Sequence, residues 1–318
     1  MRSLELFLLQ PLPDAAERVR LPAIQRVVSR ARGFVETESA EGALLERFGV
    51  GRQRDWPVAP LRRLGDAQPP DDAYWLAADP VHLRVDRDAL LLVDAQRFEL
   101  TFEDAQILVQ ALNRHFIHGG IHFSAPTAKR WYARVAPGPN IETVPLRDAA
   151  GRNVDTLLPR GGDALAWHRT FNEIQMLLHG HALNQEREVR GELPVNSVWF
   201  WGGGVLPSGV SGRWRHVWAD NALPIGLSSA AGIAAADMPR DFAQWIERAP
   251  DGEHLIVVDQ SDFDRVERDW IAPALHALRT RVLSTLSLSA AADGQARRFD
   301  LSRSDLWKFW RSSAGASA

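Results

Sequence analysis

The sequence predicts an α/β protein with three layers, in which a mainly parallel sheet carries helices on both faces. Short apolar runs typical of buried strands alternate with stretches of helical periodicity along 318 residues. An apolar fraction of 45% and a charged fraction of 24% are ordinary for a globular protein. Residues 136–161 interrupt the alternation with a long connection rich in Pro and Gly, which is typical of a functional loop or an inserted subdomain.

The domain boundaries follow from this interruption. We predict an α/β core formed by residues 1–75 and 162–318, with 76–161 as an inserted or peripheral subdomain. One continuous domain is the alternative.

The N-terminal part begins with a strand and a helix. The apolar run Leu4–Leu9 predicts a buried strand, which Pro11 ends. A helix follows over 21–34, because Pro22 suits a first helical turn and Gly33 suits a stop. Residues Arg52–Asp72 are rich in Pro, Arg and Asp and predict a loop.

The middle of the chain gives two strands around one helix. Leu90–Asp94 and Trp131–Val135 are predicted strands. Between them, Thr101 and Asp104 form a start similar to a capping box, before an apolar stripe that predicts a helix to residue 116.

The next segment has the clearest helical periodicity. Apolar residues recur every three or four positions from Asp163 to Arg190, and Gly191 suits the end of a single long helix. Asn196–Trp201 predicts a strand that runs into Gly202–Gly204.

The C-terminal part alternates again. Arg215–Ala219 and His254–Asp259 are predicted strands, and Phe263–Leu283 is a predicted helix that Pro273 divides or kinks. Two alternating runs around Asp293–Gly294 predict a hairpin.

Composition excludes several classes of function. Lys and Arg number 37 against 40 Asp and Glu, so no basic surplus favours nucleic acid as a partner. The absence of cysteine excludes disulfides, thiol nucleophiles and cysteine-ligated metals. No apolar run approaches the ~20 residues of a membrane span or resembles a secretory signal, so we expect no membrane and a cytoplasmic location. Six of the 12 Trp fall between Trp167 and Trp245, either as core and interface residues or as residues that stack on a ligand. In a protein-binding scaffold they would form an exposed docking surface.

One segment carries a motif at fixed spacing. Its eleven residues are Leu178, His181, Asn184, Arg187, Gly191, Pro194, Asn196, Trp199, Trp201, Gly202 and Gly204. This pattern resembles archaeal-type, cofactor-independent phosphoglycerate mutases of the alkaline-phosphatase superfamily, and the resemblance implies an alkaline-phosphatase-like core. Three further segments, ADPVHLRVDRDALLLVD, NEIQMLLH and DLWKFWR, are more similar to RpfE-type bacterial regulatory proteins. This closer resemblance covers nearly the whole chain.

This chain differs from the alkaline-phosphatase superfamily at the positions of the metal ligands. The superfamily implies an aspartate after the first strand, where this chain has Gln10. It implies an Asp-x-x-x-His set near Ser261–Val266, where Val266 stands four residues after Asp262 in place of the histidine. It also implies an Asp-His pair near Asp293, where Gly294 replaces the histidine. Holding two metal ions requires several carboxylates and imidazoles, so the resemblance implies a lost site.

We therefore predict a non-catalytic, phosphoglycerate-mutase-like regulatory protein without a metal or other cofactor. Its expected partner is a small anionic ligand or a regulatory protein. One alternative is an active mutase or phosphatase with relocated ligands, for example from His115, His118 and His122. Another is a protein-binding scaffold.

The motif supplies the candidate ligand-binding residues: His181, Asn184, Arg187, Asn196, Trp201, Gly202, Gly203 and Gly204. The three glycines could cradle an anion with backbone N–H groups, or form a tight structural turn. Arg187 suits bidentate recognition of a carboxylate or phosphate, or an ion pair with a neighbour such as Glu192. His181 and Asn196 could equally hydrogen-bond within the fold.

Overall fold

The computed structural model describes residues 1–35, 39–86, 89–292 and 295–307. The strands are β1 (Arg2–Leu8), β2 (Arg32–Val35), β3 (Tyr74–Asp86), β4 (Ala89–Asp94), β5 (Ile121–Thr127), β6 (Arg130–Val135), β7 (Ser197–Gly204), β8 (His216–Trp218), β9 (Ala234–Ala236), β10 (Gly252–Val258), β11 (Leu283–Ala292) and β12 (Gln295–Ser302). The helices are α1 (Ala15–Arg18), α2 (Pro22–Arg30), α3 (Ala40–Arg47), α4 (Val58–Gly65), α5 (Phe102–His115), α6 (Leu146–Ala149), α7 (Ala164–His179), α8 (Ala182–Val189), α9 (Ala222–Ala231), α10 (Phe242–Arg248), α11 (Phe263–Val266) and α12 (Ala272–Arg279). A π-helical turn, Glu267–Ile271, joins α11 to α12.

The chain divides into two compact units. Unit 1 comprises Met1–Val50 and Gly209–Ala318, and unit 2 comprises Gly51–Ser208. The segment 76–161, predicted as an insertion, lies inside unit 2, which also contains α4, α7, α8 and β7. These elements join unit 2 because they pack on its sheet: β7 pairs with β3, and α7 shares its apolar core.

Unit 1 contains a seven-stranded sheet in the order β2-β12-β11-β1-β10-β8-β9. Strand β1 is parallel to both of its neighbours, β10 and β11, while β12 and β2 add an antiparallel edge. Alternate residues of β1 point into an apolar core with Ile24 of α2, Trp245 of α10 and Leu278 of α12. The predicted mixed α/β architecture, with a mainly parallel sheet flanked by helices, is confirmed.

Unit 2 contains an antiparallel sheet in the order β4-β3-β6-β5, with β7 also pairing with β3. Its core includes Leu108 of α5, Phe123, Trp131, Ile174 of α7 and Phe200. Within the described ranges, no helix is long and apolar enough to cross a lipid bilayer.

Several predicted elements are confirmed. The strand at Leu4–Leu9 is β1, and the helix after Thr101 is α5, whose N-cap Thr101 Oγ1 accepts a hydrogen bond from the Asp104 N–H at 3.0 Å. The long helix divided at Pro273 is α11, the π turn and α12. Strands β11 and β12 flank the predicted hairpin, whose turn at Asp293–Gly294 lies outside the described residues.

Four predictions are wrong. The helix predicted over 21–34 ends at Arg30, because Arg32–Val35 pairs with β12 as strand β2. The predicted loop Arg52–Asp72 contains α4, because Arg62 gains a buried ion-pair partner in Asp79. The single helix over Asp163–Arg190 is two helices, since Gly180 ends α7 and His181 caps α8. The segment Gly202–Gly204 forms neither a turn nor a loop, because it lies within β7.

Candidate functional site

Two of the predicted site residues hold the start of α8. His181 is its N-cap, and the Nδ1 atom accepts a hydrogen bond from the Leu183 N–H at 3.2 Å. Asn184 is buried, donates to the carbonyls of Leu178 (2.7 Å) and Val195 (2.8 Å), and accepts from the Val195 N–H at 2.9 Å. The Asn184 amide therefore ties the end of α7 to the approach of β7.

Arg187 is also fully engaged within unit 2. Its guanidinium is 1% exposed and donates to Asp104 at 2.8 Å, and to the Leu193 and Glu99 carbonyls. It also pairs with Glu192 at 3.2 Å, the ion pair that the sequence offered as the alternative to anion binding. These contacts use the donors that a bound anion would need.

Asn196 bonds to one residue of β3. Its Oδ1 accepts from the Leu83 N–H at 2.7 Å, and its Nδ2 donates to the Leu83 carbonyl at 2.9 Å. The amide thus imitates a strand partner and extends the pairing of β7 with β3.

The three glycines of β7 are buried and closely packed. A Cβ atom at Gly203 would overlap the Tyr74 hydroxyl, and one at Gly204 would lie 2.7 Å from the Pro57 Cβ. Gly202 has a φ of +65° where the pairing with β3 shifts register, a backbone conformation that favours glycine. The Gly202 N–H donates to Thr143 Oγ1 at 3.0 Å. The glycines therefore permit close packing around β7.

Trp201 belongs to a buried charged cluster. Its Nε1 donates to Asp79 Oδ2 at 2.8 Å, and Arg62 of α4 binds both Asp79 oxygens at 2.7 and 2.8 Å. The Arg62 guanidinium also lies 5.4 Å from the Trp201 ring centroid and 5.5 Å from that of Tyr132. The Tyr132 hydroxyl in turn donates to Asp66 at 2.6 Å. This network was missed in the sequence, because Arg62 and Asp79 are linked only through tertiary structure.

A second buried carboxylate lies near Gly202. Asp55 accepts hydrogen bonds from the Trp56 N–H at 2.8 Å and from the Thr143 N–H at 3.0 Å and hydroxyl. Burial raises the pKa of Asp55, and burial together with the Asp55 charge raises the pKa of Tyr74 to about 12. The motif residues, Asp55 and Asp79 are thus all engaged in contacts within unit 2.

In unit 1, the carboxyl edge of the parallel strands brings three polar side chains together. Gln10 follows β1, Asp259 follows β10 and Asn221 follows β8. Asp259 accepts a hydrogen bond from Gln10 Nε2 at 3.3 Å and from Asn221 Nδ2 at 3.1 Å. Amide N–H groups therefore face this carboxylate, where a divalent cation would need oxygen or imidazole ligands.

Two other acidic residues of this edge accept hydrogen bonds from backbone N–H groups. Asp262 caps α11 by accepting from the Arg265 N–H at 3.0 Å, and Asp220 accepts from the Met238 N–H at 3.1 Å. Asp293 lies outside the described residues. Among the residues that the structure describes, no three His, Asp or Glu side chains are placed to hold a metal ion.

Two other features of the sequence have clear positions. His115, His118 and His122 are exposed, and His115 lies 3.7 Å from Glu173. The six Trp from Trp167 to Trp245 are all buried, so these six form no aromatic docking surface.

The sequence is similar to known phosphoglycerate mutases. It is 29% identical over 120 residues to the 2,3-bisphosphoglycerate-independent phosphoglycerate mutase of Methanosarcina mazei, covering 38% of this chain and 27% of that protein. It is 34% identical over 64 residues to the probable enzyme of the same name from Geobacter sulfurreducens, covering 20% of this chain and 16% of that protein. No family model matches the chain.

The similarity in fold extends further than the similarity in sequence. The PH0037 protein from Pyrococcus horikoshii superposes with a TM-score of 0.56 at 12% identity, covering 94% of this chain and 87% of that one. By contrast, the sequence matches span about a quarter or less of those two mutases. The chain is therefore related to 2,3-bisphosphoglycerate-independent phosphoglycerate mutases and shares a mixed α/β fold with a solved structure.

Proposed function

We propose that this protein is a phosphoglycerate-mutase-like regulatory protein of the RpfE type, which senses a small anionic ligand and does not transfer phosphoryl groups. Its relatives by sequence are phosphoglycerate mutases, so the proposal separates an inherited fold from the activity of those enzymes.

The observation that carries the proposal is the set of contacts at Asp259. Two side-chain amides, from Gln10 and Asn221, donate hydrogen bonds to this carboxylate at the carboxyl edge of the parallel strands. Phosphoryl transfer assisted by two metal ions needs several anionic ligands around each ion, to stabilise the attacking and leaving oxygens. An amide N–H carries partial positive charge, so Gln10 and Asn221, oriented as they are in this structure, present donors and not ligand oxygens beside Asp259.

A regulatory role is consistent with the rest of the site. Asp262 and Asp220 each accept a backbone N–H, which stabilises adjacent elements. A protein that keeps a packed fold while its carboxylates bind backbone N–H groups can still bind a ligand and change its stability or its affinity for a partner.

Turnover assays test the proposal directly. Purified protein is assayed for phosphoglycerate mutase activity, and for phosphatase activity on p-nitrophenyl phosphate, each with Mn²⁺, Mg²⁺, Zn²⁺ or EDTA. We expect the rate of the protein-free control in every condition. Metal-dependent turnover that the Asp259→Asn variant loses would overturn the proposal.

A further inference from the structure

One face of the seven-stranded sheet of unit 1 carries a row of polar residues. A single row of paired residues crosses four adjacent strands: Glu5 of β1, Ser287 of β11, Asp300 of β12 and Arg32 of β2. The neighbouring residue Leu4 of β1 points into the apolar core on the other face. Interior strands of a mainly parallel sheet are normally apolar on both faces, so polar residues in the interior strands β1 and β11 are unusual.

The row includes a buried charge in the central strand. Glu5 is 3% exposed and binds Arg47 of α3 at 2.6 Å and Arg213 at 2.8 Å. Replacing buried ion pairs by apolar residues of similar volume is often neutral or stabilising, so such groups contribute little to stability by themselves. A buried charge that also lines a cavity therefore marks a candidate functional site.

A cavity of about 460 Å³ lies over this face, within the range of small-molecule sites. Hydroxyl groups line it, from Ser3, Thr285, Ser287 and Ser302. Trp214 and Leu301 add apolar surface. The lining can therefore exchange hydrogen bonds with several hydroxyl groups of a ligand and cover one apolar edge.

Most charged groups of the lining are paired with one another. Asp300 accepts from Arg298 and from Ser287, both at 2.7 Å, and Asp305 accepts from the Ser302 N–H at 2.9 Å. Arg32 differs, because no side-chain hydrogen bond or ion pair engages its guanidinium among the residues described here. A guanidinium with unused donors suits bidentate binding of one carboxylate or phosphate.

The carboxylates limit the charge that the cavity can accept. Glu5, Glu253, Asp300 and Asp305 line it together with three guanidiniums, those of Arg32, Arg213 and Arg298. A polyanion would meet these carboxylates at short range, whereas ligand hydroxyl groups can donate to them.

We propose that this cavity binds a small polyhydroxylated molecule with one anionic group, which Arg32 holds. The role of the cavity as the sensing site rests on the function proposed above, while binding itself does not. The cavity is built on residues near the amino-terminal ends of β1 and β11, whereas Asp259 follows the carboxyl end of β10.

Calorimetric titration with four probes tests the proposal. D-gluconate and glucose 6-phosphate combine an anionic group with hydroxyl groups, glucose has hydroxyl groups alone, and inorganic phosphate has the anionic group alone. We expect saturable binding of gluconate or glucose 6-phosphate, at least tenfold tighter than binding of glucose or phosphate. No saturable binding of either combined probe, or equal affinity for phosphate, would overturn the proposal.

Matched variants locate the binding. Arg32→Gln removes the cation from an exposed edge strand, and we expect it to weaken binding at least tenfold while the urea unfolding curve stays unchanged. Arg20→Gln is the control, because Arg20 is exposed in the same unit and does not line the cavity. Equal affinity of the Arg32→Gln and Arg20→Gln proteins would exclude this cavity. If the protein catalyses metal-dependent turnover and binds neither combined probe, both proposals are contradicted. If it shows no turnover and binds neither combined probe, only the proposal about this cavity is contradicted.

Discussion

The buried pair of Asp79 and Arg62 allows the sharpest prediction about stability. Asp79 is 1% exposed and accepts four hydrogen bonds: two from Arg62 at 2.7 and 2.8 Å, one from Trp201 Nε1 at 2.8 Å and one from the Trp131 N–H at 3.3 Å. Asp79→Asn preserves the shape but leaves Arg62 charged and buried, and turns an amide N–H toward other donors.

Breaking one partner of a buried ion pair costs about 3–5 kcal/mol, because the remaining charge is left without compensation. We expect a loss of this size in the free energy of unfolding of unit 2. Equilibrium urea unfolding, followed by tryptophan fluorescence, measures it, since Trp201 and Trp131 contact the pair.

The matched control is Glu142→Gln, whose carboxylate pairs with Arg52 at 3.3 Å on the surface of the same unit. Exposed pairs contribute little, so this variant should unfold as the parent does. If Asp79→Asn shifts the unfolding curve no more than Glu142→Gln, the argument that Asp79 anchors α4 to the sheet is refuted.

Three further predictions concern packing, the motif and pH. Gly203→Ala should destabilise by about 1–3 kcal/mol, since the new methyl group would overlap Tyr74, whereas Gly51→Ala meets no atom within 4 Å and should have little effect in the same unfolding assay. Asn184→Ala should cost about 2–3 kcal/mol by leaving backbone groups at Leu178 and Val195 unpaired, and calorimetry should show unchanged gluconate binding; lost binding at unchanged stability would instead make Asn184 a ligand residue. Burial lowers the pKa of His254, whose Nδ1 accepts from Trp218 and whose Nε2 donates to the Pro250 carbonyl. As the pH falls below about 6.5, the unfolded chain therefore binds more protons at this residue than the folded protein does, and the free energy of unfolding should decrease. His254→Gln should reduce that slope, and an equal slope in both proteins would assign the pH dependence to other groups.

Local signals were sufficient for the elements that carry strong periodicity or a cap. The apolar run at β1 and the Thr101 cap of α5 are encoded within a few residues, so both were predicted correctly. The break between α7 and α8 was not, because His181 satisfies the Leu183 N–H with its own ring nitrogen after Gly180 ends the first helix.

Elements that depend on distant partners escaped prediction. Strand β3 contains Pro80 and several charged residues, and its stability comes from pairing with β4, β6 and β7. In the same way, α4 buries Arg62 and Arg63 within a segment whose composition indicates a loop. A sequence pattern does not report that Asp79 will neutralise Arg62.

The candidate sites, like the secondary structure, were predictable only where the signal lies within a short stretch of sequence. The resemblance to a known family drew attention to Gln10, but the hydrogen bond from Asn221 to Asp259 depends on β8 lying beside β10. Glu5 falls within an apolar run, and only the register of four strands shows that it belongs to a polar row. For the motif residues, spacing revealed a relationship to the mutases, while their individual roles as ligand contacts stay predictions.

Titration of the protein with Mn²⁺, followed by electron paramagnetic resonance of the free ion, tests most directly whether Asp259 and its neighbours hold a catalytic cation. If Gln10 and Asn221 satisfy Asp259, the free-ion signal should rise linearly from the first addition, as it does in buffer. Stoichiometric loss of the signal, restored in the Asp259→Asn protein, would contradict the account.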